Sequence, residues 1–285
     1  MITFPIAKIN LGLNIVEKRS DGYHNLETVF YPLPIQDTLE IHEMDSEFPS
    51  KVKCDIKVSN MTIDGDEQKN LVVKAYNLLS NVFTLPRLHV HLHKSIPSQA
   101  GLGGGSSDAA YMLKLLNQTF RLGLQNEELI CLAKNLGADC PFFIVSQPSY
   151  ATGIGECLTP INLDLSGLYI VVIKPNIAVS TAEAFRNIIP QAPEKNCAEI
   201  VLQPIDTWRK ELHNDFENSV FVKYPELQRI KDMLYEIGAL YASMSGSGSS
   251  IYGIFHKKPQ EKEIIKASTE SALLKHLQTI IIKKL

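Results

Sequence analysis

Several things that would settle a class on their own are scarce or missing in this 285-residue sequence. An excess of one charge is missing: 28 Lys and Arg face 31 Asp and Glu, for a net −3, so no basic footprint exists for gripping a nucleic-acid backbone. Long apolar runs are missing too, since those at 169–173 and 280–282 fall far short of the ~20 residues of a membrane span. The five cysteines (Cys54, Cys131, Cys140, Cys157, Cys197) are odd in number and have no C-x-x-C spacing, which argues against a disulfide framework and a zinc knot. An uninterrupted signal core is absent from Phe4-Pro5-Ile6-Ala7-Lys8-Ile9-Asn10, and no internal repeat or low-complexity tail is visible. A soluble chain in a reducing, cytoplasmic setting is expected. With 45% hydrophobic and 21% charged residues it can bury a full core, and its length corresponds to about two domains.

Periodicity organises the rest. Ala7, Ile9, Leu11, Leu13 and Ile15 alternate with Lys8, Asn10, Gly12 and Asn14, which predicts a strand whose polar face carries Lys8 and Asn10 side by side. Ser20-Asp21-Gly22 predicts a turn, and extended stretches at 26–33 and 38–41 predict an antiparallel meander. Leu71, Ala75, Leu78 and Val82 predict a helix over 70–83 capped by Asn70. In the strand that follows, Leu88, Val90 and Leu92 alternate with His89, His91 and His93. Three imidazoles on one face could hold zinc; a wet or partly covered face explains the same pattern and is the reading adopted.

The clearest helix places Ala109, Met112, Leu113, Leu116 and Phe120 on one side, with Asp108 in its first turn at the positive end of the dipole. Another is capped by Asn126, carries Glu127 and Glu128 in its first turn, and stops at Gly137. Pro and Gly between 153 and 160, then a turn at Ser166-Gly167, place a boundary near 160 and give domains 1–160 and 161–285. The second domain mixes an apolar strand at 169–173, a helix bearing Leu227, Ile230, Leu234 and Ile237, a glycine/serine cluster and a strand at 251–255.

Four of the 16 glycines fall in Gly101-Leu102-Gly103-Gly104-Gly105 and run straight into the clearest helix. Glycine lets the backbone approach a ligand closely, and a helix start offers free N–H groups and partial positive charge; together they make an anion site. Ser106 and Ser107 add hydroxyl donors. A flexible linker would need neither the strand before it nor the helix after it. A Walker A loop requires a lysine that is not there, and G-x-G-x-x-G, like the protein-kinase glycine loop, fails at Ser106.

The full segment Pro97-Ser98-Gln99-Ala100-Gly101-Leu102-Gly103-Gly104-Gly105-Ser106-Ser107-Asp108-Ala109-Ala110 resembles the ATP-binding motif of the GHMP small-molecule kinases. Met244-Ser245-Gly246-Ser247-Gly248-Ser249-Ser250 resembles that family's C-terminal glycine motif, and Pro5-Ile6-Ala7-Lys8-Ile9-Asn10-Leu11 its first motif. The three stand in the right order along the whole chain. Within the family, Asp21-Gly22-Tyr23-His24 and Gly137-Ala138-Asp139-Cys140-Pro141 are similar to the branch acting on 4-diphosphocytidyl-2-C-methyl-D-erythritol on the non-mevalonate route to isoprenoids. The Asp-Gly-Tyr-His element decides the branch.

The resemblance implies an α+β, two-domain kinase: an N-terminal domain like the ribosomal S5 type-2 fold, a ferredoxin-like C-terminal domain, and ATP and substrate in the cleft between. It implies ATP and Mg²⁺ as cofactors, the cytidylyl alcohol as small-molecule partner, and phosphorylation of its 2-hydroxyl; oligomeric state and Mg²⁺ ligands stay open. Pro97, Ser98, Gln99, Ala100, Gly101, Leu102, Gly103, Gly104, Gly105, Ser106 and Ser107 would bind ATP, and Ser245, Gly246, Ser247 and Gly248 would lie near its triphosphate. Asp139 would take the proton from the acceptor hydroxyl, Lys8 would hold and polarise base and hydroxyl, and Asn10 would contact the same substrate. Tyr23 offers cytosine a flat face, His24 a donor or acceptor for its edge, and Phe185 resembles the aromatic that closes the sandwich.

Local reading leaves alternatives beside these roles: Asp139 as a turn or cap residue, Lys8 as a solvent-facing strand residue, Phe185 as core. Two rival functions also stand. One is a GHMP kinase for a smaller alcohol such as homoserine or mevalonate; the other is a non-catalytic nucleotide-binding protein, which would need neither Lys8 nor Asp139. Gln99 and Ala100 stand where the family pattern is richer in small residues, and Ser249 where it often has alanine.

Overall fold

The computed structural model describes residues 1–49, 51–61, 66–186, 188–273 and 276–285. In chain order its strands are β1 (Ile2–Thr3), β2 (Ile6–Lys18), β3 (His24–Gln36), β4 (Thr38–Glu43), β5 (Cys54–Ser59), β6 (Leu88–His93), β7 (Ser149–Thr152), β8 (Cys157–Pro160), β9 (Tyr169–Pro175), β10 (Tyr241–Met244), β11 (Ile251–Phe255) and β12 (Leu277–Lys284). Its helices are α1 (Leu71–Ser80), α2 (Gly104–Thr119), α3 (Asn126–Lys134), α4 (Cys140–Val145), α5 (Thr181–Phe185), α6 (Cys197–Val201), α7 (Ile205–Glu211), α8 (Phe216–Lys223), α9 (Pro225–Glu236) and α10 (Glu261–Glu270). The fold is α+β. Among the described residues, no helix is long and apolar enough to cross a membrane.

The chain forms two compact units. The first comprises Met1–Ala7, Ile35–Ser98 and Gly103–Ser146, the second Lys8–Pro34, Gln99–Leu102 and Gln147–Leu285.

In the first unit a sheet of order β1-β4-β6-β5 packs with α1 and α2, and α3 and α4 pack on α2. Leu39 and Ile41 pair with Leu92 and Val90, and Ile56 with Val90, so one face of the sheet is apolar and buried. The opposite face of β6 is wet, as read from the alternation: His91 and His93 are exposed and share the hydroxyl of Ser59 at 2.9 and 3.1 Å, while His89 binds Asp55 at 3.1 Å. Asn70 caps α1 as predicted, accepting from the Val72 amide at 2.9 Å. The buried face of α1 is not the predicted one, however: Val72, Val73, Ala75, Tyr76 and Leu79 are inside and Val82 is exposed. Lys74, Asn77 and Ser80 mark the polar side, and the apolar face opposite them is wider than a four-residue stripe, while Val82 lies past the end of the helix.

Three other boundaries shift. Helix α2 starts at Gly104, which puts Asp108 in the second turn. Helix α3 starts one residue early, with the backbone N–H of Gln125 donating to Glu128 Oε2 at 2.8 Å, and it ends at Lys134, ahead of Gly137. The meander breaks at Asp37, because β3 and β4 belong to different sheets. Asp37 itself is fully buried and accepts from the backbone amides of Ser95 and Ile96 (2.5 and 2.8 Å) and from Lys94 Nζ.

In the second unit, β2 and β3 form a hairpin closed at the predicted turn by Arg19 N–H donating to Tyr23 O at 2.8 Å, and the sheet continues to β7 and β8. A second sheet, wholly antiparallel, has the order β12-β9-β11-β10. Numbered within the unit's second half that is 4-1-3-2 with βαββαβ connectivity, the ferredoxin-like arrangement. Val171, Ile173, Ala242, Met244 and Ile251 pack with Leu227, Ile230 and Leu234 of α9 and Ile264 of α10. The polar face of β2 is not a wet one, since Lys8 and Asn10 are as deeply buried as most of the core. Gly12 interrupts the strand at φ +68°, where a Cβ would lie 2.5 Å from Leu212 Cδ1 and 2.7 Å from Cys197 Sγ. Just past it, Leu13 N–H donates to His213 O at 2.8 Å and Asp215 N–H to Leu13 O at 2.9 Å.

The first unit holds an electrostatic device with a pH signature. Buried Lys94 donates to both Asp37 and Asp108 (2.7 Å to the latter), so two carboxylates share one ammonium, and Asp108 Oδ1 is buried with no hydrogen-bond partner. Burial above all, opposed by Lys94 and reinforced by the Asp37 carboxylate, pushes Asp108 from 3.8 up to about 7. A carboxyl that holds its proton more tightly folded than unfolded favours the fold most below its unfolded value, and that advantage is lost as pH rises through about 7. Asp108→Asn removes the loss. Melting temperatures taken near pH ~5.5 and pH ~8 will show the variant gaining on the wild type at the higher pH.

Candidate active site

The glycine loop is built from strained backbone leading into a helix. Gln99, Gly101 and Gly103 all have positive φ (49°, 72° and 71°), and α2 begins at the next residue without a side-chain cap. The amides of its first turn therefore have no partner within the helix and point outward with the positive end of the dipole. Pro97 and Ala100 are buried, whereas Ser98, Gln99 and Gly105 are exposed and Ser106 is half-buried. A Cβ at Gly104 would lie 3.0 Å from Ile96 Cγ2 and 3.3 Å from Lys94 Nζ, so a larger first helical residue would press on both side chains.

Within the second unit, the C-terminal glycine motif is laced to the Ala100-Gly101 half of the loop. Ser245 Oγ donates to Gly101 O at 2.7 Å, and Ser250 N–H to Ala100 O at 3.3 Å. Gly246 and Gly248 take φ of 55° and 90°, and Asn214 Nδ2 holds the motif's carbonyls, donating to Met244 O (2.8 Å) and Gly246 O (2.9 Å). Ser247 meets Thr181 at 3.3 Å between hydroxyl oxygens, and Ser249 donates to Ile177 O at 2.5 Å. Asn214 is a buried residue that sequence reasoning missed; nothing about an Asn ahead of a helix marks it as the clamp of a loop thirty residues on.

Lys8 belongs to the same assembly. It is 3% exposed, its backbone N–H donates to Leu102 O at 3.0 Å, its ammonium donates to Asn10 Oδ1 at 2.6 Å, and it lies 4.6 Å from the centre of the Phe30 ring. The solvent-facing alternative for Lys8 is thus not what the fold uses. Asp139, in the first unit, is half-buried at the N-cap position of α4, yet its side chain makes no capping bond. Ser106 is brought to the same turn: its hydroxyl lies 4.0 Å from where a Cβ on Gly137 would stand, and it bonds Cys140, whose thiol burial pushes up to about 12. Among the described residues, no group of three or more His, Cys, Asp or Glu could hold a metal ion.

The aromatic trio is arranged differently from the expected sandwich. His24, not Tyr23, stacks on Phe185, with ring centroids 4.8 Å apart and planes 19° from parallel. Phe185 meets Phe216 edge-on with its centroid at 4.8 Å, so it is both a core-edge residue and a platform. Tyr23 is 61% exposed at the hairpin tip.

Comparison with known proteins decides the family. The description "GHMP kinases N terminal domain" fits residues 70–147, and "GHMP kinases C terminal" fits 195–271. The 4-diphosphocytidyl-2-C-methyl-D-erythritol kinase of Bacteroides fragilis is 53% identical over 272 residues, which is 95% of this chain and 97% of that one. The chain belongs to this branch of the GHMP kinases. A crystal structure of a 4-(cytidine 5'-diphospho)-2C-methyl-D-erythritol kinase superposes with a TM-score of 0.79 at 28% identity, covering all of both chains. The homoserine kinase of Cytophaga hutchinsonii gives a TM-score of 0.70 at 17% identity over 98% of this chain and 94% of its own, a likeness of fold alone.

Size is critical where Gly101 meets the C-terminal glycine motif. A Cβ on Gly101 would stand 1.9 Å from the Ser245 carbonyl oxygen, at a φ that L side chains avoid. Gly101→Ala will therefore weaken nucleotide binding by about tenfold or more, a cost of the ~1–3 kcal/mol that such strain carries. Titration with ATP checks this, with circular dichroism reporting that the fold persists.

Proposed function

We propose that this chain transfers the γ-phosphoryl group of ATP to the 2-hydroxyl of 4-diphosphocytidyl-2-C-methyl-D-erythritol, a cytoplasmic step toward isoprenoid precursors. The observation that carries the reading is the buried Lys8 ammonium, held by Asn10 on the strand bonded to the glycine loop. A protein that only bound nucleotide would have no use for a desolvated lysine there. The substrate rests on the relatives at 53% identity, not on the fold, which homoserine kinase shares.

The work divides as follows. The amides of residues 101–107 at the α2 N-terminus cradle the phosphates, and Ser245 to Gly248 serve the same nucleotide. Asp139 accepts the proton of the acceptor hydroxyl as its oxygen forms the bond to the γ-phosphorus, the bond to the bridging oxygen breaks, and ADP leaves. Lys8 orients the base and hydroxyl, and Asn10 holds Lys8 and the acceptor. General-base help of this kind is worth ~10²- to 10⁴-fold; the remainder is positioning and charge stabilisation. Mg²⁺ neutralises the phosphate charge when bound. Ser106, whose hydroxyl lies half-buried in the first turn of α2, would be the loop's own oxygen donor to it. Cytosine takes the Phe185 face that His24 covers, His24 turning to the base's edge and Tyr23 closing over it. The halves 1–160 and 161–285 are the family's two domains on this reading, supported by family matches that fall on either side of residue 160.

The test is ADP release from a panel of alcohols. The cytidylyl alcohol will turn over fastest, and faster turnover of homoserine or mevalonate would defeat the assignment. Asp139→Asn will lower kcat about 10²- to 10⁴-fold with nucleotide affinity intact; near wild-type turnover would remove Asp139 as the base. Phe185→Ala will raise KM for the cytidylyl alcohol by about tenfold, the scale of one lost stacking contact, and leave KM for ATP alone.

A further inference from the structure

Thr28, on β3, lies wholly inside the protein, and its side chain stands at the end of the chain of hydrogen bonds that begins at Lys8. Its hydroxyl donates to Gly12 O at 2.5 Å and accepts from Asn10 Nδ2 at 3.0 Å. A hydroxyl has one proton. With that proton committed to Gly12, only a lone pair is left for Asn10, so the Asn10 amide must turn its NH₂ toward Thr28. Its oxygen is then fixed on the other side, 2.6 Å from Lys8 Nζ. Were the amide reversed, two donors would face each other at the ammonium.

The rest of the neighbourhood leaves Asn10 no other freedom. Its backbone N–H donates to Ser245 Oγ at 3.3 Å, and its carbonyl accepts from Tyr252 OH at 2.7 Å. The carbonyl that Thr28 uses is presented by Gly12, whose left-handed backbone a residue with a Cβ would adopt only under strain and by displacing Leu212 and Cys197. The kink in β2 thus has a purpose for the site. It supplies the acceptor that sets the direction of a hydroxyl, which sets an amide, which sets an ammonium.

We infer that Thr28 is a positioning residue for phosphoryl transfer, acting through the Asn10 amide to hold the Lys8 ammonium in its working direction. The inference rests on the proposed role of Lys8. Thr28→Val keeps the shape and removes both hydrogen bonds; Thr28→Ser keeps both bonds. Thr28→Val will lower kcat by about 10- to 100-fold, the range for losing one well-placed bond to a charged group, with KM for ATP within about twofold. Thr28→Ser will return kcat to within about threefold of wild type. In a Lys8→Ala background, Thr28→Val will cost less than about threefold more, because the group it positions is gone. Equal losses in both backgrounds, or a Thr28→Val enzyme with wild-type kcat beside a crippled Lys8→Ala enzyme, would overturn the inference alone. Wild-type turnover by Lys8→Ala would overturn the catalytic reading with it. If Thr28→Val does not fold, as judged by its melting curve, Thr28→Ala replaces it with the same expectations.

Discussion

An ammonium removed from water has to be given acceptors, and among the described residues three buried lysines meet that demand in three ways. Lys94 is shared between the carboxylates of Asp37 and Asp108. Lys174, held below its ordinary pKa by burial, donates to the carbonyls of Pro175 and Ile177 at 2.7 and 2.8 Å. Lys8 donates to the amide oxygen of Asn10. Around Lys8 the backbone is shaped to keep that amide turned the right way: Thr28 gives its proton to Gly12 O and accepts from Asn10 Nδ2, which leaves the amide oxygen toward the ammonium.

The near-neutral composition fits this economy of local charge. A net −3 disfavours a polyanion spread over a surface, but it carries no information about a triphosphate held at one helix start. What the loop offers there is helix-start amides and left-handed glycines, features that add nothing to the charge count.

Much of this was legible in local pattern, and what was not has a common cause. The alternation along β2 places Lys8 and Asn10 side by side, and the helical period of α2 names its buried face, because both follow from backbone geometry alone. Alternation cannot say what covers a face, so the burial of Lys8 and Asn10 is a tertiary fact. The same holds for Asn214 and for Glu217, whose Oε1 accepts from Ser243 and from the Met244 amide to steady the strand before the glycine motif. Their partners are dozens of residues away. The trio of Tyr23, His24 and Phe185 was legible as chemistry but not as arrangement, since stacking order depends on where the β2–β3 hairpin tip falls relative to α5. The meander broke at Asp37 because one carboxylate found two amides and an ammonium nearly sixty residues on.

The interleaving of the two compact units has a consequence for the order in which the protein can be completed. A ribosome has delivered every residue of the first unit once Ser146 has emerged. The β2–β3 hairpin emerges before nearly all of it, yet its partners come later: β7 begins at Ser149, the carbonyl that Leu13 binds belongs to His213, and Ser245 lies more than thirty residues beyond. The strand bearing Lys8 is therefore among the first parts made and the last to be secured. During synthesis its apolar alternation is exposed for most of the length of the chain, the situation in which nascent proteins depend on chaperones.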